Sequence, residues 1–370
     1  MRDVRAQIDL SAIAGNVRSM CDLIAPAGLC AVVKAAGYGH GSVEVGRAAI
    51  AAGAAWLGVA LVEEAEILRD AGIDDPILLL TQPRGGAVEI AVRLDLRISV
   101  YTQAGIEAIA DAARTQGRIA KVHLKVNTGM NRVGADRADA LALARDITQH
   151  PELELEALWT HCAVADEPDN PFTDLQLDRF DSVAAELADD GIEVPMRHAA
   201  NTAAAMQFPR SRYDIVRSGI GVYGIRPSAA LADRVTLTPA LALTGEVSMV
   251  KTVRAGERIS YGLRHEFSRD TTVATVQIGY ADGVPRRLSA VGGEVLIGGR
   301  RHPMVGTVTM DHLMVDCNGE PVAVGDPVVL IGRQGDEVIT AEEWAVPLDT
   351  IAYEIICGIG PRVPRVYQNR

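Results

Sequence analysis

No basic stripe runs through these 370 residues, whose formal net charge is -12 with histidine counted neutral. A surface of that sign does not neutralise a phosphate backbone, so nucleic acid is not an expected partner and a small zwitterionic substrate fits better. Cysteine is scarce and unpatterned: Cys21, Cys30, Cys162, Cys317 and Cys357 show no CxxC spacing. That speaks against a disulfide framework and a zinc site, so no metal is expected and a reducing compartment is. Long apolar runs are missing as well. The longest, Ala48 to Val62, falls short of a membrane span, and Gly53 divides it into a helix and the strand-like WLGVALV. The opening MRDVRAQIDLSAIAGNV lacks an export-type apolar core, because Asp3, Arg5, Gln7 and Asp9 interrupt it, and a cytoplasmic protein is expected. What is present is apolar bulk, 48% of the residues, enough for two domains with full-sized cores.

From about residue 29 to residue 220, short apolar or β-branched runs alternate with Ala-rich amphipathic stretches, the pattern of repeated strand-helix units. The strand candidates are LCAVVK (29–34), AWLGVA (55–60), PILLL (76–80), LRISV (96–100), KVHLKV (121–126), LEALWTH (155–161), VPMRHA (194–199) and YDIVRS (213–218). Between them lie helix-like segments such as SVEVGRAAIAAG, VEEAEILRDAG, QAGIEAIADAARTQG and DLQLDRFDSVAAELADDG, several closing on Gly as helix C-termini do. Eight such units predict an α/β fold, a TIM-like (β/α)8 barrel over residues 1–236, with its active site on the loops after the strands. After residue 236 come Val, Ile and Thr runs separated by Gly, Asp and Pro turns, with helical periodicity only near TAEEWA (340–345). Residues 237–370 therefore read as a C-terminal mostly β domain, a small barrel or a sandwich, joined through RPSAALADRV.

Lys34 closes the first barrel strand and precedes a flexible Gly37-Tyr38-Gly39-His40-Gly41 loop. Alone it reads as a solvated strand-end lysine; partly desolvated at the active-site face, it can lose its proton and bond to an aldehyde cofactor. Arg217-Ser218-Gly219-Ile220-Gly221 follows the eighth strand and reads either as a glycine-rich turn or as a phosphate cradle. Asn201-Thr202 after the seventh strand opens a short helix and serves as an N-cap or as an anion site. His161 after the sixth strand and Arg132 after the fifth read singly as a packed histidine and a solvated arginine. Lys34, Arg132, His161, Asn201 and Arg217 would nonetheless converge at the C-terminal mouth of one barrel.

Over essentially the whole chain these segments resemble, in order, those of alanine racemase, a fold-type III family that uses pyridoxal 5'-phosphate. VVKAAGYGHG is similar to the family's cofactor-lysine motif, and LKVNTGMNRVG, THCAVADE, HAANTAA, VRSGIGVYG, ISYGLRHEF, IGYADGVPRRLS, TVTMDH and RVPRVY come after it. The resemblance implies that Lys34 carries the cofactor, that Tyr38, Thr202, Gly219 and Ile220 surround its phosphate with Asn201 beside them, and that Arg217 faces the pyridine nitrogen. It implies that Arg132 and the backbone amide of Met310 hold the substrate carboxylate, and that Lys125 matches a lysine carbamylated in many members. Racemisation needs acid-base groups on opposite faces of Cα. Lys34 supplies one, and Tyr261 matches the second base, lent by the partner subunit, with His161 bridging it to Arg217. A head-to-tail homodimer with shared active sites is implied. Tyr280, Arg286 and Asp311 match residues of the corridor into the site. The implied activity is interconversion of L- and D-alanine, which supplies D-alanine for peptidoglycan.

Three positions depart from frequent family patterns. Pro361 stands where some members have a phosphate-binding tyrosine, Thr309 replaces a common Cys, and Ala35-Ala36-Gly37 replaces a more polar tripeptide. These departures touch affinity and substrate range rather than reaction type. The rival readings are a racemase of serine, lysine or arginine on the same fold, a related decarboxylase, and a non-enzymatic cofactor carrier.

Overall fold

The structure, a computed structural model, describes residues 3–231 and 234–369. Residues 232 and 233, within the segment read as a linker, lie outside the described residues. The chain forms two compact units. One spans Ser11–Gly37 and Gly41–Pro239; the other combines the first segment through Leu10 with Tyr38–His40 and the residues from Ala240 onward.

The first strand of the chain is β1 (Arg5–Asp9). The larger unit holds β2 (Gly28–Val32), β3 (Trp56–Val59), β4 (Ile77–Leu79), β5 (Arg97–Val100), β6 (Ala120–Lys125), β7 (Leu153–Trp159), β8 (Met196–His198) and β9 (Ile215–Ser218). All eight expected strands are thus present, with bounds shifted by no more than two residues. They lie parallel in sequence order from β2 to β8, and β9 pairs with the far edge of β2. No ladder joins β8 to β9, but the gap is bridged. Asp214 N–H donates to Arg197 O at 3.0 Å, Arg197 N–H to Asp214 Oδ2 at 2.7 Å, and Arg217 N–H to Ala200 O at 3.0 Å. The barrel is nearly closed. The helices between the strands end where local chemistry ends them. Over Gln103–Gln116 the Thr102 hydroxyl accepts the Gly105 N–H at one end, and Gly117 takes the left-handed conformation at the other.

In the second unit, Leu241–Val253 pairs with Thr271–Val276, which pairs in turn with Leu313–Asp316, Arg300–Val305, Glu294–Ile297 and Pro327–Gln334, and the last returns to Leu241–Val253. Of the two β forms expected, this is a closed small barrel, packed on Val253, Phe267, Val273, Val305 and Met314. β1 adds antiparallel to Leu241–Val253, and Arg365–Gln368 adds parallel to β1. The chain's first strand therefore lies in the β-rich unit, whereas the sequence boundary groups it with residues 1–236. Its period is two, Ala6 and Ile8 buried between half-buried neighbours, the pattern of a strand covered on one face. A short helix at Ala352–Cys357 is too brief to show periodicity in the sequence. Among the described residues no helix is long and apolar enough to cross a membrane.

Phe180, on the helix Phe172–Asp189, is fully buried and meets the Tyr213 ring edge-on at 5.4 Å. Phe180→Ala is expected to lower stability by about 3–5 kcal/mol in urea unfolding. Leu175→Ala, on the exposed side of the same helix, should stay within about 0.5 kcal/mol of the parent.

Candidate active site

Lys34 lies just past β2, and a compact turn follows it, running into the stretch read as a flexible loop. Ala35, Ala36, Gly37 and Tyr38 have φ of 52°, 52°, 62° and 49°, a turn of left-handed helix. Each L-residue in that conformation costs roughly 1–2 kcal/mol, because its Cβ crowds the next carbonyl. Two backbone bonds hold the turn, Gly37 N–H to Val33 O at 2.8 Å and Gly41 N–H to Ala36 O at 2.7 Å. A carboxylate, Glu64, also accepts the Ala35 N–H at 2.6 Å. Tyr38 falls in the β-rich unit, buried, with its ring 6.2 Å from that of Tyr353. Burial pushes its phenol well above the ordinary tyrosine value, so it remains a donor.

Arg217, at the end of β9, is buried at 3% exposure. Its guanidinium donates to His198 Nδ1 at 2.7 Å, Thr160 O at 2.8 Å, Ala199 O at 2.9 Å and His161 Nδ1 at 3.2 Å. Among the described residues no carboxylate pairs with it. Burial draws its pKa down to about 10, which still leaves it protonated at neutral pH. Because guanidinium only donates, each imidazole nitrogen facing it must accept. His161 and His198 therefore carry their protons on Nε2. Buried Lys125, ending β6, lies over the Trp159 ring at 3.9 Å, and Arg217 lies over the same ring at 4.8 Å. Burial, then Arg217, Arg132 and Lys34, draws the Lys125 amine down to about 7. Burial and then the cations Arg217, Lys125, Arg132 and Lys34 hold half-buried His161 well below the ordinary histidine value. Arg132 itself is exposed, on a loop clamped by the Val126–Ala135 bridge and by Asn127, which bonds Gly129, Asn131 and Asp136.

The same interior holds residues that reading strand ends alone misses. His198 Nε2 meets His123 Nδ1 at 2.9 Å, and His123 Nε2 meets Glu156 Oε2 at 2.8 Å. With the tautomers set by Arg217, each imidazole donates from Nε2, and the run ends on a carboxylate. Contacts between strands that are not neighbours, such as Trp56 on β3 with His123 on β6 at 5.5 Å, place these side chains inside the barrel. The available signal is period two: Lys121, His123 and Lys125 share one face of β6.

At the ends of β8 and β9, Asn201 is spent as an N-cap, its side chain accepting the Ala204 N–H at 2.9 Å. Thr202 Oγ1 lies 3.2 Å from Ser218 Oγ and accepts the Gly219 N–H at 3.1 Å. A Cβ on Gly221 would come within 2.8 Å of Thr202 Cγ2 and 2.9 Å of Ser218 Oγ, so only glycine permits this close approach. The N–H of Ile220, heading the short 3-10 turn Ile220–Tyr223, takes no backbone acceptor among the described residues.

Tyr261, Tyr280, Met310 and Asp311 come together in the β-rich unit. Thr307 ties the first by donating to Tyr261 O at 2.9 Å, while Thr309 O and Met310 O accept the N–H groups of Tyr280 and Ala281. Gly279 is required there, since a Cβ would lie 2.3 Å from Thr309 O. Thr309, read as a departure, closes this turn: its hydroxyl donates to His312 O and accepts the His312 N–H, each at 3.0 Å. Tyr261 is 73% exposed and Met310 51%. Asp311 is paired with Arg362 at 2.7 Å, Arg286 is exposed without an ion pair among the described residues, and Pro361 is exposed. Among the described residues no group of three His, Cys, Asp or Glu is placed to hold a metal ion.

His123, His161 and His198 all have lowered pKa values, from burial first; for His123 burial outweighs the raising hydrogen bond to Glu156. Below about pH 6.5 the unfolded chain binds protons that the folded chain refuses, so stability falls as pH drops through that value. His198→Asn should flatten the slope of unfolding free energy against pH below 6.5 by about one proton, read from urea melts. An unchanged slope would contradict the neutral buried imidazole.

Residues 8–227 match the model of the alanine racemase N-terminal domain, and residues 240–367 that of the alanine racemase C-terminal domain. An alanine racemase of Symbiobacterium thermophilum is 49% identical over 368 residues, covering 99% of this chain and 97% of its own. The solved alanine racemase of Streptomyces coelicolor superposes with a TM-score of 0.95 at 39% identity, covering 100% of this chain and 98% of its own. A histidine racemase of Leuconostoc mesenteroides superposes with a TM-score of 0.91 at 31% identity, over 100% of this chain and 98% of its own. Two matched domains in order, on a barrel whose mouth gathers Lys34, Arg217 and the Thr202-Ser218 hydroxyls, place this chain in the alanine racemase family, a family of isomerases.

Proposed function

We propose that the chain interconverts L- and D-alanine with pyridoxal 5'-phosphate bonded to Lys34, by two-base proton exchange between Lys34 and Tyr261 of a second copy. It works as a cytoplasmic homodimer that supplies D-alanine for peptidoglycan. The observation that carries this reading is the sign of the barrel mouth. In a chain of net charge -12, the charges acting most strongly on His161 are four cations, Arg217, Lys125, Arg132 and Lys34. Such a site suits ligands that bring phosphate and carboxylate groups.

The residues present fit the cofactor. The Thr202 and Ser218 hydroxyls and the Ile220 N–H offer donors to a phosphate, Gly219 and Gly221 keep the backbone there close-packed, Asn201 caps the helix beside them, and Tyr38 is a further phenolic donor. When bound, the cofactor supplies an electron-withdrawing ring that acidifies the substrate Cα–H. Arg217, which keeps its own proton, would face the ring nitrogen, limit that withdrawal and disfavour side reactions. Arg132 and the Met310 N–H, which takes no backbone acceptor among the described residues, bind the substrate carboxylate. Lys125, with an amine near half-neutral at pH 7, is suited to carbamylation, and the resulting negative charge would orient Arg132.

Lys34 Nζ moves a proton on one face of Cα and Tyr261 Oη on the other. His161 accepts from Arg217 at Nδ1, leaving its Nε2–H to donate to the Tyr261 oxygen and stabilise the phenolate. The exposure of Tyr261, Met310 and Tyr280 in the single chain supports their being covered by a second copy, with Arg286 and Asp311 lining the corridor. The histidine racemase neighbour keeps a second reading open, a racemase of another amino acid such as histidine, serine, lysine or arginine. Initial rates across a panel of L-amino acids decide between them.

Lys34→Ala is expected to abolish both the visible absorbance of the lysine-bound cofactor and racemisation; a coloured, active variant would refute the assignment. Tyr261→Phe should block turnover from L-alanine while Cα of D-alanine still exchanges with heavy water, measured by mass spectrometry. Equal loss of both exchanges would contradict the assignment of faces.

A further inference from the structure

The left-handed turn after Lys34 lacks, at its first two positions, the residues that such a conformation usually calls for. Ala35 and Ala36 hold φ of 52° without being glycine or asparagine, and both are exposed, so burial does not hold them. Among the described residues, one side chain bonds to the backbone of residues 34–37, and it is Glu64. Its Oε1 accepts the Ala35 N–H at 2.6 Å, while Oε2 accepts the N–H groups of Ala60 at 2.8 Å and Leu61 at 3.1 Å. The bond to Leu61 is what any acidic residue in a helix's first turn makes when it reaches back to the residue before the helix. The bond to Ala35 goes beyond capping, because it ties the turn to the end of β3. On the other side of Lys34, Val33 N–H donates to Gly58 O on β3 at 2.8 Å. Lys34 is thus bracketed by two anchors, one on the neighbouring strand β3 and one on the helix after it.

We propose that Glu64 is a positioning residue for Lys34: its carboxylate holds the left-handed turn in place and thereby aims the lysine amine at the barrel mouth. This rests on the reading of Lys34 as the cofactor-bearing lysine. Glutamine at 64 keeps one acceptor oxygen but sets an N–H against the second group of donors, so the turn or the cap is released. Glycine at 35 adopts positive φ without the Cβ penalty, so it lessens the turn's need for an anchor.

The test uses the full chain stripped of cofactor, as wild type, E64Q, A35G and E64Q/A35G. Its readouts are the rate at which added pyridoxal 5'-phosphate develops the visible band and the urea midpoint of the stripped protein. E64Q is expected to take up the cofactor about tenfold more slowly, the scale of a hydrogen bond to a charged group. A35G alone should match wild type, and E64Q/A35G should recover most of the lost rate. A role confined to capping the helix would lower the urea midpoint of E64Q and leave the double variant as slow as E64Q, or leave uptake at the wild-type rate in all four; either result overturns the proposal. K34A run alongside separates the two readings. A normal visible band in K34A refutes the attachment to Lys34 itself, whatever the Glu64 variants do.

Discussion

A buried cation with no anion beside it organises this barrel. Taking a guanidinium out of water is costly unless its N–H groups are satisfied, and here Arg217 is satisfied by neutral acceptors drawn from two strand ends and two imidazoles. Since Arg217 can only donate, it dictates what its neighbours must be. His161 and His198 are neutral and accept on Nδ1, and the burial that lowers their pKa values works in the same direction. Their Nε2–H groups are consequently available, one toward the mouth and the other toward His123.

The compensating charge is displaced rather than absent. From His198 the hydrogen bonds continue through His123 to Glu156, a carboxylate that burial alone would raise but that His123, Lys121 and Arg97 hold below its ordinary value. The anion thus sits two imidazoles away from Arg217. Around the mouth Lys34 and Arg132 have no ion-pair partner among the described residues, a setting suited to a phosphate and a carboxylate brought from outside. TIM-type barrels usually fill this space with branched aliphatic residues. Here Trp56, Trp159, His123, His198 and Glu156 share it with Cys30, Leu78 and Ile215, and the interior takes part in setting the site's electrostatics.

Periodicity and order make most of the fold legible in the sequence. The eight barrel strands announce themselves as apolar runs between amphipathic segments, and Gly117 marks a helix end for the reason that glycine usually does. The strand Arg5–Asp9 escapes notice because five residues of alternating burial carry little weight at a chain's start, and its partners lie more than two hundred residues away. Arg217, His161 and Thr202 are visible as polar residues at strand ends. His123 and Glu156 are not, because they lie within strands, where only an every-other-residue polar pattern betrays them. The left-handed turn at Ala35-Ala36 leaves no mark in the sequence, since alanine does not suggest positive φ; its anchor, Glu64, lies 29 residues along the chain.

Two lysines face the mouth with different claims on an aldehyde. Judged by acidity alone, Lys125, with its amine near 7, is the more obvious nucleophile for an aldehyde. Judged by position, Lys34 is, held on its anchored turn at the end of β2. Borohydride reduction of the full chain loaded with pyridoxal 5'-phosphate, and then peptide mapping, separates the two directly. The pyridoxyl group is expected on Lys34, with Lys125 free of it. A label on Lys125, or on neither lysine, would contradict that placement.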